Sequence, residues 1–395
     1  MRLTYLHIHN FKSIRSMEIR DIDRALIFVG KNNTGKTSIL DAVCAVCGCY
    51  EIQARDFNEN RQAIRIDACF SIEEEDLHLF HHMGIVSQYR RYDVWRRVFS
   101  ERLPSFKDGE LSFTLHVNQD GKVRYEDLYR KNNPYIHMVM PRIYRINAER
   151  ELNQLQNDLL MFQEDEELRR LRSGSCIFER AKKCNHCFQC IGLINQKKPE
   201  ELSAFETARL LEFKIYQLNL IGFSRKVNEN FFKNGGYEEI QYTLNFDADQ
   251  LFTVEVTAHN RQRGSVKPVE LMGKGMRSIY MLSLLETYIS EQGRIPSIIV
   301  VEDPEIFLHP QLQKSCSEIL YRLSKKNQVI FKTHSPDLLF NFSIRQIRQV
   351  VLDDERYSVI RPRTNMSEIL DDLGYGANDL LNVSFVFIVE GKQDK

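Results

Sequence analysis

The chain has 395 residues, more than one small domain needs, and 43% of them are hydrophobic, enough for a sizeable core. Its 54 Lys and Arg residues balance 54 Asp and Glu, which excludes a protein that coats nucleic acid through bulk positive charge; any polyanion site must be local. No stretch approaches the ~18 apolar residues of a membrane span, the N-terminus lacks the apolar core of a signal peptide, and nine cysteines, an odd number, argue against a disulfide framework, so the expectation is a cytoplasmic protein with no membrane partner.

In chain order, MRLTYLHIHNFKSIR alternates polar residues with Leu3, Tyr5 and Ile8 and predicts the first strand of a hairpin. Residues 25–29 read as a short buried strand, followed by a Gly-rich loop and a helix over about 36–49. Strand patterns recur at 63–72, 111–117 and 143–146, with the Arg-rich stretch QYRRYDVWRRVFSER between them. From about residue 151 the character changes. ELNQLQNDLLMFQEDEELRRLRS is charged and helical in period, CNHCFQC follows, and EELSAFETARLLEFKIYQLNLIGFSRKV is again helical. Strands resume at 239–246 and 252–258. A helix over 276–291, a strand over 298–301, a helix over 311–324 and a strand over 329–332 then alternate, which predicts a parallel sheet flanked by helices. The expected organisation is an N-terminal lobe over 1–150, a helical insertion over 151–235 suited to dimerisation, a C-terminal lobe over 236–380 and a short remnant over 381–395.

Gly30, Lys31, Asn32, Asn33, Thr34, Gly35, Lys36 and Thr37 match G-x-x-x-x-G-K-[ST] at every fixed position, with an apolar strand before and a helix through Ser38 after. Backbone N–H groups of such a loop, together with the helix N-terminus, cradle phosphate oxygens. Lys36 is expected to reach the β- and γ-phosphates of ATP, and Thr37 to offer its hydroxyl to Mg²⁺.

The strand at 298–301 runs into Glu302, Asp303, Pro304 and Glu305. In a nucleotide-binding sheet, carboxylates at a strand's C-terminal end face the same crevice as the phosphate loop. Glu302 is placed to hold Mg²⁺ or its water shell, and Asp303 to polarise an attacking water; the bland alternative is a solvated turn. His334, in KTHSP at the end of the next strand, is placed to contact the γ-phosphate.

Three features together, Asn10-Phe11-Lys12-Ser13, GKNNTGKTS, and EDPEIFLHP with THSPD, resemble the ABC-type ATPases of the SMC and RecF kind, and most of all the OLD (overcoming lysogenization defect) family, in which such an ATPase precedes a Toprim nuclease domain. The resemblance implies an α/β ABC-type P-loop fold and a head-to-tail homodimer with ATP sandwiched between subunits. It also implies work on DNA, in DNA processing or phage defence, with a further protein partner possible. The segment 271–276, with Gly273, Lys274 and Gly275, stands where the family's signature motif packs on the partner's ATP, but Met272 replaces the usual Ser. The acidic pair is Glu-Asp rather than Asp-Glu, which makes slow hydrolysis plausible, and Arg150 is a weak candidate for the glutamine-loop region. VFIVEGKQDK looks like the opening of the Toprim domain, with Glu390 as its first carboxylate; one carboxylate cannot assemble a metal-dependent nuclease site, so no DNA cleavage is expected from these residues alone. Two rivals remain: a RecF- or SMC-like ATP-switched DNA-binding protein without nuclease activity, and a transporter ATPase subunit.

Cys176, Cys184, Cys187 and Cys190 could bind structural Zn²⁺, carry part of an iron–sulfur run, or remain simple thiols. Cys44, Cys47 and Cys49 read as core packing on the helix after the phosphate loop. Arg90, Arg91, Arg96 and Arg97, interleaved with Tyr89, Tyr92 and Trp95, form either a phosphate-backbone contact or a solvated helix face.

Overall fold

A computed structural model of the chain describes residues 1–58, 62–147, 171, 176–178, 187–217, 221–233, 239, 256–260, 264–290, 297–362 and 365–374. The chain divides into two compact units, one of Met1–Leu155 with Glu270–Lys395 and one of Gln156–Val269.

The first unit holds two sheets. In the antiparallel one, β1 (Arg2–Phe11) lies between β2 (Ile14–Ile19) and β4 (Ile64–Ser71). β6 (Glu110–Val117) follows β4 and carries β5 (Phe106–Lys107) and β7 (Val123–Glu126). The second sheet runs β14 (Ser358–Ile360), β13 (Ile347–Leu352), β3 (Ala25–Val29), β12 (Gln328–Lys332), β11 (Ser297–Glu302), β8 (Arg142–Ile146). All its pairings are parallel except β13 with β14. β3 and β11 are buried along their whole length, as expected of central parallel strands covered on both faces.

Helix α1 (Lys36–Val46) packs against β12 on one side and β1 and β4 on the other. Ile39, Leu40, Val43 and Val46 are among its nine buried residues, so it reads as apolar nearly all round because it is sandwiched between sheets. It stops at Val46, earlier than the sequence suggested. Cys44 is buried as expected, Cys47 caps the helix, and Cys49 is exposed beyond it, its thiol on the Cys44 carbonyl at 3.2 Å.

Helices α2 (Glu74–His82) and α3 (Tyr92–Arg102) pair beside the antiparallel sheet, and α4 (Pro134–Val139) precedes β8. The aromatic residues of the Arg-rich stretch do not form a stacking platform. Trp95 is fully buried and its indole N–H donates to the Ile85 carbonyl at 2.9 Å. Tyr92 stacks on His78 and donates its hydroxyl to Glu74 at 2.5 Å. Tyr92, Trp95 and Phe99 follow helical spacing, and that stripe seals α3 onto the core. Arg90, Arg91 and Arg97 remain exposed, and Arg96 lies over the Phe106 ring.

In the second unit, α5 (Ile191–Ile194) precedes α6 (Ala204–Gln217) and α7 (Ile221–Lys233), which form the helical stretch expected after the cysteines, and β9 (Thr257–Asn260) pairs with β10 (Ser265–Pro268). Cys190 is buried in an apolar cluster with Ile191, Ile194, Phe188 and Phe213. Among the described residues, Cys176, Cys187 and Cys190 are not gathered as a three-ligand set. Cys184, Arg150, Glu390, all but the first residue of the strand expected at 239–246, most of that expected at 252–258 and the remnant at 381–395 lie outside the described residues.

The first unit resumes with α8 (Lys274–Ser290), α9 (Pro310–Lys326) and α10 (Met366–Asp372). No helix of the described residues is long and apolar enough to cross a membrane.

Candidate functional site

Parallel pairing of β3, β12 and β11 brings their C-terminal ends to one edge of the sheet. The loop after β3, Asp303 after β11 and His334 after β12 therefore meet, although they are some 300 residues apart in sequence. They line one cleft of about 600 Å³ with Ser13, Asn32, Asn33, Thr34, Gly35, Lys36, Thr37, Ser38, Glu305, Ile306 and Lys332.

The loop is shaped by two glycines that a side chain would disrupt. Gly30 has φ +143°, and a Cβ there would stand 2.3 Å from the Val350 carbonyl oxygen; Gly35 has φ +90°, and its Cβ would stand 2.0 Å from Ser358 Oγ. Gly35 then starts α1, so the first N–H groups of that helix open into the cleft. Lys36 curls back and donates to the carbonyls of Gly30 at 2.8 Å and Lys31 at 2.6 Å. Burial first, and the charge of Lys332 second, push its ammonium down to about 8, against the pull of Asp303 and Glu305. Ser13 ties the β1–β2 turn to this loop, accepting from the Ser358 hydroxyl at 2.7 Å and lying 3.4 Å from Ser38 Oγ.

Asp303 sits in the left-handed region, φ 43°, immediately after β11. Its Oδ2 lies 2.9 Å from Lys332 Nζ, and its backbone N–H donates to the Lys332 carbonyl at 3.1 Å. Glu305 accepts from the His334 backbone N–H at 2.5 Å, while its Oε2 is buried without a hydrogen-bond partner; burial raises its pKa above the ordinary carboxylate value. His334 is held below the usual histidine value by burial and then by Lys36.

Glu302 is not part of the cleft lining. Its carboxylate is 9% exposed and lies behind Asp303, accepting from Arg145 Nε at 3.0 Å and Nη2 at 2.7 Å, with Lys332 Nζ at 3.6 Å. Arg145 also reaches Asp41 of α1 at 2.6 Å, and Asp41 in turn holds Lys12 of the β1–β2 turn at 2.5 Å. Sequence reasoning missed Lys332, Arg145, Asp41 and Lys12 as members of this charged chain. The quoted signatures contained Lys12 and Lys332, but no spacing rule links Asp41 or Arg145 to Glu302.

Gly273, Lys274 and Gly275 do not line the cleft of their own chain. They form the start of α8, with Lys274 Nζ 4.4 Å from the centre of the Phe307 ring. Leu271, Met276 and Phe307 are exposed around them.

The residues present fit a nucleoside triphosphate with magnesium: a glycine cradle that a Cβ would fill, a helix N-terminus, two lysines and two carboxylates lining one cleft. A family profile described as AAA ATPase domain matches residues 1–339. The OLD nuclease of Thermus scotoductus is 26% identical over 148 residues, 34% of this chain and 28% of that protein. The Old nuclease of Escherichia phage P2 is 26% identical over 211 residues, 46% of this chain and 34% of that protein. The chain spans about a third of the length of the curated relatives it matches. A solved Smc head domain with an extended coiled coil, bound to the C-terminal domain of ScpA and derived from Pyrococcus furiosus, aligns with 94% of this chain and 98% of that one. Its identity is 14% and its TM-score 0.51. The fold is that of an SMC-type head, the α/β ABC-type arrangement expected from the sequence.

Proposed function

The chain belongs to the AAA ATPase domain family, and from that premise we propose that it is the ATP-binding and ATP-hydrolysing module of an OLD-type nuclease, closing head to tail as a homodimer to control a Toprim nuclease in DNA processing or phage defence. The observation that carries this reading is the convergence of the phosphate loop, Asp303, Lys332 and His334 on one cleft. Backbone N–H groups of 32–37 and Lys36 bind the phosphates; Thr37, with Glu302 through the water shell, would hold magnesium, which supplies charge neutralisation at the β- and γ-phosphates. Asp303 orients the attacking water and accepts its proton, and His334 contacts the γ-phosphate. The exposed apolar residues Leu271, Met276 and Phe307 around Gly273 and Lys274 support a partner subunit docking there over the second subunit's nucleotide.

One observation favours the switch reading, in which ATP clamps the protein on DNA with little turnover. The candidate base Asp303 is bound to Lys332, which must yield before Asp303 can take a proton. Measuring ATP turnover across protein concentrations, with Lys36→Ala as control, separates the two. Specific activity that rises with concentration, with a dead Lys36→Ala variant, is the expected result for a shared site. Tight ATP binding with no turnover at any concentration favours the clamp.

The position of Lys36 adds a pH dependence. Without phosphate its ammonium titrates near 8, and a triphosphate alongside favours the charged form. Above pH 8 binding must take up a proton, so ATP affinity should be flat below that pH and then fall by up to about tenfold per unit as pH rises. Calorimetry at pH 9 in two buffers of different ionisation enthalpy should show proton uptake in wild type and none in Lys36→Met.

A further inference from the structure

Away from the cleft, one side-chain cluster has the composition of a metal site. Residues two apart on a strand share a face, so His7 and His9 of β1 stand together, both half-buried, while Leu6 and Ile8 point into the core. The antiparallel register places Asp67 of β4 directly opposite His7 and Arg65 opposite His9. The two imidazole centres are 3.9 Å apart. One ligand atom from each of His7, His9 and Asp67 lies within 4.8 Å of the other two. His9 Nε2 stands 4.0 Å from Asp67 Oδ2. That is too long for a hydrogen bond but near the ~3.4 Å that separates two donors on one tetrahedral ion at about 2.0–2.1 Å from each.

The surroundings orient these groups as outer partners orient metal ligands. Asp67 Oδ1 accepts from Arg65 Nε at 3.0 Å and from the Thr114 hydroxyl at 2.5 Å, leaving Oδ2 toward His9. His7 Nε2 lies 3.1 Å from Ser16 Oγ on β2.

We propose that His7, His9 and Asp67 bind a divalent transition-metal ion of the Zn²⁺, Co²⁺, Ni²⁺ class, with water completing its shell. Two imidazoles and one carboxylate suit these ions rather than Mg²⁺ or Ca²⁺, which take oxygen ligands. The ion would pin β1 to β4 three residues ahead of Lys12, whose ammonium holds Asp41 beside the phosphate loop.

The test uses the full chain, free of tag and nucleotide and stripped with EDTA, titrated with ZnCl₂ by calorimetry and with CoCl₂ by visible absorption. It is run in wild type and with Cys176, Cys184, Cys187 and Cys190 replaced by Ser. The expected result is a zinc equivalent that survives the Ser replacements, with cobalt bands lacking a sulfur charge-transfer component. His9→Ala and Asp67→Ala should each weaken it at least tenfold, and Thr114→Val, which keeps every ligand, by about 10–100-fold. Melting temperatures in EDTA confirm that the variants fold. If the four-Ser chain does not fold, the same variants are read in the native chain from the sulfur-free cobalt bands. Zinc binding unchanged by His9→Ala and Asp67→Ala, or binding abolished by the cysteine replacements in a folded chain, overturns the proposal.

Discussion

Replacing Arg145 by Met should lower the stability of the first unit by about 1–3 kcal/mol, between the worth of a surface bridge and the cost of removing one partner from a buried ion pair, because the arginine side chain is itself 28% exposed. The guanidinium lies 2.6 Å from Asp41 Oδ1 and 2.7 Å from Glu302 Oε1, carboxylates whose side chains are 5% and 9% exposed. Methionine keeps most of the volume but none of the charge. The ion pairs of Asp41 with Lys12 and of Glu302 with Lys332 at 3.6 Å would remain, but the bridge that neutralises both carboxylates at once would be gone. Two carboxylates forced to share a desolvated region either stay charged at a cost or take up protons. The measurement is the shift in urea midpoint at constant slope. The double variant Arg145→Met, Glu302→Gln should recover part of the loss, because it removes one of the stranded charges. A shift below about 0.5 kcal/mol would mean that water screens the pair as it screens a surface bridge.

That charged chain marks where the sequence stops being readable. The phosphate loop was legible because its residues are contiguous and its chemistry demands glycine at two fixed places. β3 and β11 were legible because a strand covered on both faces reads as an unbroken apolar run. Asp303 and His334 could be assigned to the cleft because both follow such strands. Arg145 could not be: in β8 it is one polar letter in a strand pattern, and its link to Asp41 and Glu302 exists only because β8 takes the place beside β11. Trp95 was misread for the opposite reason. Its neighbours in sequence are arginines, but its neighbours at helical spacing, Tyr92 and Phe99, are the ones that decide where it points. β13 went unrecognised as the strand beside β3, although its Val350 carbonyl is what forces glycine at position 30.

Asp303→Asn should abolish turnover while preserving ATP binding. The loss expected from removing a positioned general base is about 10²–10⁴-fold. Asparagine is the informative replacement because Asp303 has φ 43°, a conformation asparagine adopts more readily than alanine. The fold of the turn, and the N–H that donates to the Lys332 carbonyl, should therefore persist. What disappears is the negative charge 2.9 Å from Lys332 Nζ. Lys332 then becomes available to the phosphates, so affinity for ATP should hold or tighten, and the chain with ATP should run as a dimer in size-exclusion chromatography. Single-turnover hydrolysis and a nucleotide titration on the same preparation separate the two effects. If Asp303→Asn still hydrolyses ATP at the wild-type rate, the base is elsewhere, and Glu305 is the other carboxylate that faces the cleft. Its pKa, raised by burial, makes the companion experiment direct: turnover that depends on Glu305 should be lost in Glu305→Gln and should fall in wild type as pH drops and that carboxylate is protonated.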